Sequence, residues 1–272
     1  MKVDTIMTQH YVTIEKDARI KDALAKMARN NTNRLIVVRR KGARKPYGII
    51  TEYDIFYRLS RSKVRRFEPY NTSVASAATT PVDTVNTGAD IKFVTRNMLL
   101  KGYSSMPVLN NQGEIMGLVT KRDILKLLRD YNDVLNSEVS RITTKIKGKI
   151  RLFDRLTMAL SKFMGTGYSN LVVIDDGKPI GILRAYDVAK VLFTIRKINP
   201  TPHWENVVKE IYIADIMRRD IAVLNPEAPI GKALDIILHR GQNIIPIEDR
   251  GRAVGLVSRS NILRYMLDEK II

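Results

Sequence analysis

The sequence predicts an α/β (α+β) fold of four β-α-β-β-α units, and three observations carry that reading. One strand-to-helix turn recurs four times: Tyr47-Gly48-Ile49-Ile50-Thr51-Glu52-Tyr53-Asp54, Met116-Gly117-Leu118-Val119-Thr120-Lys121-Arg122-Asp123, Ile180-Gly181-Ile182-Leu183-Arg184-Ala185-Tyr186-Asp187 and Val254-Gly255-Leu256-Val257-Ser258-Arg259-Ser260-Asn261. A short apolar strand precedes each copy across a polar turn, which is a hairpin signal. An amphipathic helix precedes each hairpin. Internal repetition at this scale organises a whole chain.

Taken in order, each unit opens with a segment that reads as extended. These are Asp4-Thr5-Ile6-Met7-Thr8, Ala75-Ser76-Ala77-Ala78-Thr79, Ser140-Arg141-Ile142-Thr143-Thr144 and Ala214-Asp215-Ile216-Met217-Arg218. In the second helix Ile91, Val94 and Met98 form the apolar stripe and Gly102 stands at the C-terminal stop; in the fourth, Ile230, Ala233, Leu234, Ile237 and Leu238 do so before Gly241. The apolar strands follow at Leu35–Val38, Met106–Leu109, Leu171–Ile174 and Ile244–Ile247. Asn110-Asn111-Gln112-Gly113 and Asp175-Asp176-Gly177 supply hairpin turns. The helix from Asp123 is expected to run on, with Ile124, Leu127, Leu128, Tyr131 and Leu135 on one face. The units then span 1–60, 72–136, 137–197 and 211–272. One such unit is too small to cover itself, so units one and two, and three and four, are expected to pair as modules 1–136 and 137–272.

Composition narrows the function. The chain has 272 residues, 44% hydrophobic, with no cysteine and three scattered histidines. Disulfides, thiolate metal sites and a cysteine nucleophile are excluded, and a multi-histidine metal site is disfavoured. No apolar run is long enough to span a bilayer and no leader-like region opens the chain, which predicts a soluble, cytoplasmic protein without a membrane partner. Forty-six Lys and Arg oppose 28 Asp and Glu, a net charge of +18. Both halves share the excess, so the surface favours anionic partners such as nucleotides or nucleic acid. Met98, Met106, Met116 and Met158 fit core positions, and Arg39-Arg40-Lys41 through Lys45 reads as a solvated hairpin loop.

The recurring turn has its own chemistry. A helix N-terminus offers unpaired N–H groups and partial positive charge, a ready anion site. Thr120 or Thr51 can cap the helix or bond a phosphate, and Asp123 or Asp54 one turn in can accept the hydroxyls of a ribose. The same Thr-x-x-Asp pattern is also a capping box, worth roughly 1 kcal/mol with no ligand at all. Both roles are open from the turn alone.

These features resemble the CBS domain, whose tandem pair is called a Bateman module. The resemblance rests on the Asp-x-Ile-Met type of opening, the strand prolines Pro107 and Pro246, and the Gly-h-h-Thr/Ser-x-x-Asp turn (h apolar), in four copies over nearly the whole chain. A chain of four such units is similar to the γ subunit of AMP-activated protein kinase and its stand-alone archaeal relatives. That similarity implies two modules in a flat disc, with AMP, ADP or ATP in clefts and phosphates towards the centre. It implies no catalytic cofactor, an unidentified regulated protein as partner, and homodimers formed by module stacking.

Mapped onto this sequence, the second copy is the most complete. Thr120 and Asp123 would take the sugar and Lys121 and Arg122 the phosphates. Met106-Pro107 would supply the strand, and Thr80 with Val82 the opening segment against the base. The first copy has Thr51 and Asp54, with Glu52 where phosphates need cations, and Arg34 at a basic position that reaches phosphates in the family. In the third, Arg184 replaces Thr before Asp187, either contacting phosphate or blocking the pocket. The fourth has the weaker pair Ser258 and Asn261, with Arg218 and Arg219 in its opening segment to compensate. Between one and three occupied clefts are expected.

Two other classes compete. The charge and the basic connector Arg58–Arg66 suit a nucleic-acid-binding protein. No zinc knuckle, aromatic RNP-like strand or helix-turn-helix pair supports it. An enzyme is disfavoured, since no catalytic triad order, P-loop, metal-ligand spacing or G-x-S-x-G is present. Among ligands, S-adenosylmethionine is the alternative to an adenine nucleotide.

Overall fold

The computed structural model describes residues 1–61, 71–198 and 204–272. Most of the basic connector, His203 and the two prolines at 200 and 202 lie outside these residues.

Repeat 1 comprises β1 (Thr13–Glu15), α1 (Ile20–Arg29), β2 (Arg34–Val38), β3 (Pro46–Thr51) and α2 (Glu52–Arg61). Repeat 2 comprises β4 (Val85–Asn86), α3 (Ile91–Leu100), β5 (Ser105–Leu109), β6 (Ile115–Thr120) and α4 (Lys121–Leu125), followed by a 3-10 stretch Lys126–Asp130 and α5 (Asn132–Asn136). Repeat 3 holds β7 (Lys149–Arg151), α6 (Leu156–Thr166), β8 (Asn170–Asp175), β9 (Lys178–Arg184) and α7 (Ala185–Ile198), with α8 (Trp204–Glu210) after it. Repeat 4 runs through α9 (Ile213–Ile216), α10 (Ile230–Asp235), a π-helical turn Ile236–Arg240, β10 (Ile244–Asp249), β11 (Arg252–Ser258) and α11 (Arg259–Asp268).

In repeats 1 to 3 a short first strand pairs parallel to the second, and the hairpin completes a three-stranded sheet. The expected first strand is thus present in repeats 1 to 3, but it lies after the opening segment rather than in it; at two or three residues it is too short to show alternation. The fourth repeat replaces its first strand with a single parallel bridge, Leu224 to Ile247. Both hairpin turns form as expected, with Gly113 and Gly177 at positive φ. The expected continuous helix from Asp123 breaks at Tyr131, whose ψ of 76° leaves helical space before α5 restarts.

The opening segments depart most from expectation. They are single helical turns rather than extended strands, and each docks on the partner repeat instead of its own. Val3, Val74, Val139 and Ile213, all fully buried, anchor them. Thr8 bridges to Leu118, Thr79 to Ile49, Thr144 to Leu256 and Arg218 to Ile182. This exchange explains the recurring glycine. A Cβ at Gly48 would lie 2.7 Å from the Thr79 carbonyl oxygen, one at Gly117 2.7 Å from that of Thr8, and one at Gly181 2.8 Å from that of Arg218. Only glycine lets the crossing backbone approach so closely.

Two kinds of contact join the repeats. The sheets of repeats 1 and 2 meet through Ile36, Val38, Ile49, Ile115 and Leu118, and β9 meets β10 and β11 between repeats 3 and 4. The helices pack the other way. One core joins repeats 1 and 3, where α2 lies on α7; the other joins 2 and 4, where α11 lies on α4. The N-terminal residues of the paired motif helices come together: Glu52 lies in the fields of Arg184, Asp187 and Arg34, and Lys121 Nζ reaches Ser260 Oγ. No described helix is long and apolar enough to cross a membrane.

Candidate functional site

The first, second and fourth motif turns form the expected hydrogen-bonded cap. In the second, the Thr120 N–H and Oγ1 both donate to Asp123 Oδ2, at 3.1 and 2.7 Å, while the Asp123 N–H donates back to Thr120 Oγ1 at 3.3 Å. Asp123 is buried, and Lys126 Nζ holds its other oxygen at 3.0 Å. The first turn repeats the pattern between Thr51 and Asp54, at 2.7 and 2.6 Å. Burial raises the Asp54 carboxyl above its usual range, against the opposing Thr51 hydrogen bonds. In the fourth, Ser258 N–H and Oγ donate to Asn261 Oδ1, and Asn261 Nδ2 reaches Thr144 Oγ1 at 3.3 Å.

The third turn is different in kind. Arg184 folds back onto Asp187, Nε to Oδ2 at 2.6 Å and Nη2 to Oδ1 at 2.5 Å, a bidentate pair that uses both carboxylate oxygens. Arg218 Nε adds a second cation 3.6 Å from Oδ2. The acid is thus already bound by the protein's own guanidinium. Beside it lies a cavity of about 440 Å³, lined in part by Arg184, Arg218, Asp220, Arg240 and Gln242.

The exchange of opening segments redistributes several expected contributors. Thr80 donates through Oγ1 to the Tyr47 carbonyl at 3.0 Å, and Val82 packs against the apolar cluster Ile36, Val38, Ile49, Ile115 and Leu118 where the two sheets meet. Thr80 therefore lies beside the first motif strand, not the second. The second motif strand instead meets the first opening segment, through Thr8 at Leu118 and Tyr11 at the Ile115 carbonyl. Arg218 likewise serves the third cleft rather than the fourth. Pro107 pairs with Leu118 on the strand leading to Thr120, whereas Met106 points the other way into the helical core. Met98 is core as expected, but Met116 and Met158 are exposed.

Electrostatics sets one half of the centre apart. The first helical residue after each cap is Glu52, Lys121, Ala185 or Arg259, so repeats 2 and 4 bring cations there. Lys121 is buried, and its Nζ donates to Ser260 Oγ across the module interface at 2.9 Å. Burial first, then the fields of Arg259 and Arg264, lower its pKa to about 8. Arg34, also buried, donates to Asn33 Oδ1 and to the carbonyl and hydroxyl oxygens of Ser104. Desolvation and the neighbouring Arg259 bring it down to about 10, with Asp123 and Glu52 acting in the opposite sense. Arg259 is lowered to about 10 by burial and by Arg122. Arg122 itself donates to the Leu238 carbonyl of repeat 4. Glu52 faces Arg184, Asp187 and Lys190 of repeat 3, and burial raises it to about 7.

Arg34, Lys121 and Arg259 form no ion pair within 4 Å among the described residues. Arg259, Ser104 and Ser260 were not among the expected contributors. Arg259 stands at the same position as Lys121, one residue past the cap, so reading that column across the four copies reveals it. The contribution of Ser104 depends on the sheet contact between repeats and has no local signal.

The chain matches the family model described as "CBS domain" at residues 3–61, 74–130, 149–194 and 213–268. It is 26% identical over 273 residues to protein MJ1225 of Methanocaldococcus jannaschii, covering 93% of this chain and 94% of that one. The crystal structure of MJ1225, described as an archaeal homolog of g-AMPK, superposes with a TM-score of 0.86 at 24% identity, covering 98% of this chain and 100% of the other. Protein MJ1404 of the same organism is 25% identical over 272 residues, 98% of this chain and 62% of its own length. A conserved protein of Pyrococcus horikoshii shares the fold, with a TM-score of 0.63 at 21% identity over 98% of this chain and 100% of that one. Four matched segments, four capped or plugged turns and the exchanged openings agree: the chain belongs to the CBS domain family, with four copies of the domain.

Proposed function

We propose that the protein is a regulatory sensor that binds an adenine nucleotide, with the sugar at Thr120 and Asp123 and the phosphates over Arg34, Lys121 and Arg259. One observation carries this reading: among the described residues no carboxylate lies within 4 Å of Arg34, Lys121 or Arg259, although the first two are buried and the third is half-buried. Buried charge is normally paired, because leaving water is costly and only an opposite charge offsets it. A phosphate would supply the missing anion. The cations belong to repeats 1, 2 and 4, so a bound phosphate would touch both modules and bias how they pack. S-adenosylmethionine carries a sulfonium, which this cluster would repel. The description of MJ1225 as a homolog of g-AMPK supports the same class of ligand.

The second cleft is the first to fill in this reading. The first shares Arg34 but sets Glu52 against phosphate, and the fourth offers an uncharged Asn261. In the third, Arg184 occupies Asp187, so it takes no ribose. A regulated protein that reads occupancy, and homodimers through module stacking, belong to the same proposal. Calorimetry tests it: AMP or ATP titrated into nucleotide-free protein should release or absorb heat with saturation below millimolar concentration. Absence of binding by both at millimolar concentration would refute it.

A further inference from the structure

The hairpin ends of the two modules are built alike but charged differently. In repeats 1 and 2 the turn between β2 and β3 meets the start of β6, where the Ile115 N–H donates to the Arg44 carbonyl at 2.7 Å. In repeats 3 and 4 the Ala253 N–H donates to the Gly177 carbonyl at 2.8 Å in the same way. This second end is balanced: across 175–178 and 249–252, Lys178, Arg250 and Arg252 oppose Asp175, Asp176 and Asp249. The first end is not. Across 39–45 and 110–114, Arg39, Arg40, Lys41, Arg44 and Lys45 oppose Glu114 alone. With Glu15, Lys16 and Asp17 of the adjoining edge counted, six cations still face three carboxylates, an excess of three.

The basic turn is fixed with its cations outward. Gly42 takes a φ of 77° at its corner, Ala43 packs against the apolar cluster where the two sheets meet, and all five cations are exposed. Arg44 lies 3.7 Å from Glu114. Arg39, Arg40, Lys41 and Lys45 have no carboxylate within 4 Å among the described residues. Such an array favours a phosphate polyanion, because each phosphate it neutralises releases a condensed counterion.

The side chains beside the cations narrow the ligand further. Protein interfaces are anchored by clustered apolar or aromatic side chains. Among the described residues, the large apolar side chain exposed next to this end is Met116, and Val254 matches it in the balanced module. A basic patch holds a membrane stably only beside a second anchor. Single strands are gripped by stacking their bases on aromatic rings. Here Tyr47 packs against the core of repeats 1 and 3, with Arg39 5.4 Å and Lys16 6.0 Å from its ring centroid. Tyr11 packs at the sheet contact and donates to the Ile115 carbonyl, so neither ring is offered to a base. The exposed amides of Asn111 and Gln112 add uncharged donors suited to phosphate and sugar oxygens.

We infer that the hairpin end of repeats 1 and 2 binds a double-stranded nucleic acid through its phosphate backbone, without reading its sequence. The inference does not depend on nucleotide binding in the clefts.

Fluorescence anisotropy of a labelled DNA duplex of about 20 base pairs, titrated with the full chain at several salt concentrations, tests it. The logarithm of affinity should fall against the logarithm of salt with a slope of about −4, as five phosphate contacts require. Arg40→Ser, Lys41→Ser and Lys45→Ser together should weaken binding at least tenfold and flatten the slope by about 3. Lys178→Ser, Arg250→Ser and Arg252→Ser remove the same charge from the other end and should leave both readings as in the wild type. All six residues are exposed, so both variants should melt with the wild type. If the first does not, Lys41→Ser with Lys45→Ser serves, with a slope change of about 2. Equal losses from the two triple variants would overturn the inference, because net charge alone would then account for binding. So would a single strand bound more tightly than the duplex, poly-glutamate bound as tightly as the duplex, or no duplex binding at low salt. Phosphatidylserine vesicles that bind the wild type but not the first variant, with no duplex binding, would overturn it too.

Discussion

The second and third motif turns share a strand, a glycine that admits the crossing backbone, and an aspartate one turn into the helix. They differ at the residue before the helix. Thr120 caps and leaves Asp123 one readily displaced partner, Lys126, about half exposed. Arg184 instead reaches Asp187 with two hydrogen bonds and closes on it. A surface lysine contact contributes little, about 0–1 kcal/mol, whereas a half-buried bidentate pair is a much stronger competitor. One scaffold thus yields an open turn and a plugged one, and the difference lies in a single side chain.

The largest expected effect removes the cations that the open turn points towards. Lys121→Ala combined with Arg259→Ala should weaken AMP binding about 100-fold, since two charge-assisted contacts are lost. The same variant should melt higher than the wild type when nucleotide-free, because the buried charge of Lys121, without an ion-pair partner, is gone and the half-buried Arg259 no longer repels Arg34. Thermal melts with and without AMP check both signs. Next, Asp123→Ala should weaken binding about tenfold, and more than Asn261→Ala does; equal losses in titration calorimetry would mean that the clefts are ranked wrongly. Arg184→Thr should unplug the third turn and raise the stoichiometry of AMP by one site, read from the same titrations.

The smallest effect is on pH. The folded-state pKa of Lys121, about 8, lies below the ordinary 10.5, so its charge is costly below pH 8 and that cost is relieved as pH rises towards 10.5. Glu52, raised from 4.5 to about 7, gains charge at a cost as pH climbs through that window. Bound phosphate favours a charged Lys121 and a neutral Glu52. Affinity should therefore fall a few-fold between pH 7 and 9, a range above the phosphate's own pKa of about 6. Glu52→Gln should flatten the lower part of that profile.

Much of the fold was legible because its signals are local. The glycine, the hairpin strands and the stops at Gly102 and Gly241 each follow from residues next to one another. The opening segments were misread because they fold against the partner repeat. Val74 and Ile213 are anchored by contacts that sequence order does not reveal. That exchange also explains why Thr80 and Arg218 lie at different clefts from those expected. In the candidate site, Thr120, Asp123 and Lys121 could be read from one turn. Arg259 required comparing the four copies, and Ser104 required the sheet packing itself.

In the proposed site a phosphate completes a cation cluster that has no carboxylate within 4 Å among the described residues. Parallel titrations of AMP and adenosine into nucleotide-free protein test it most directly, with the Lys121→Ala/Arg259→Ala variant beside the wild type. AMP should bind the wild type at least tenfold more tightly than adenosine, and the variant should lose that preference. Equal affinity of the two ligands for the wild type, or an undiminished preference in the variant, would contradict it.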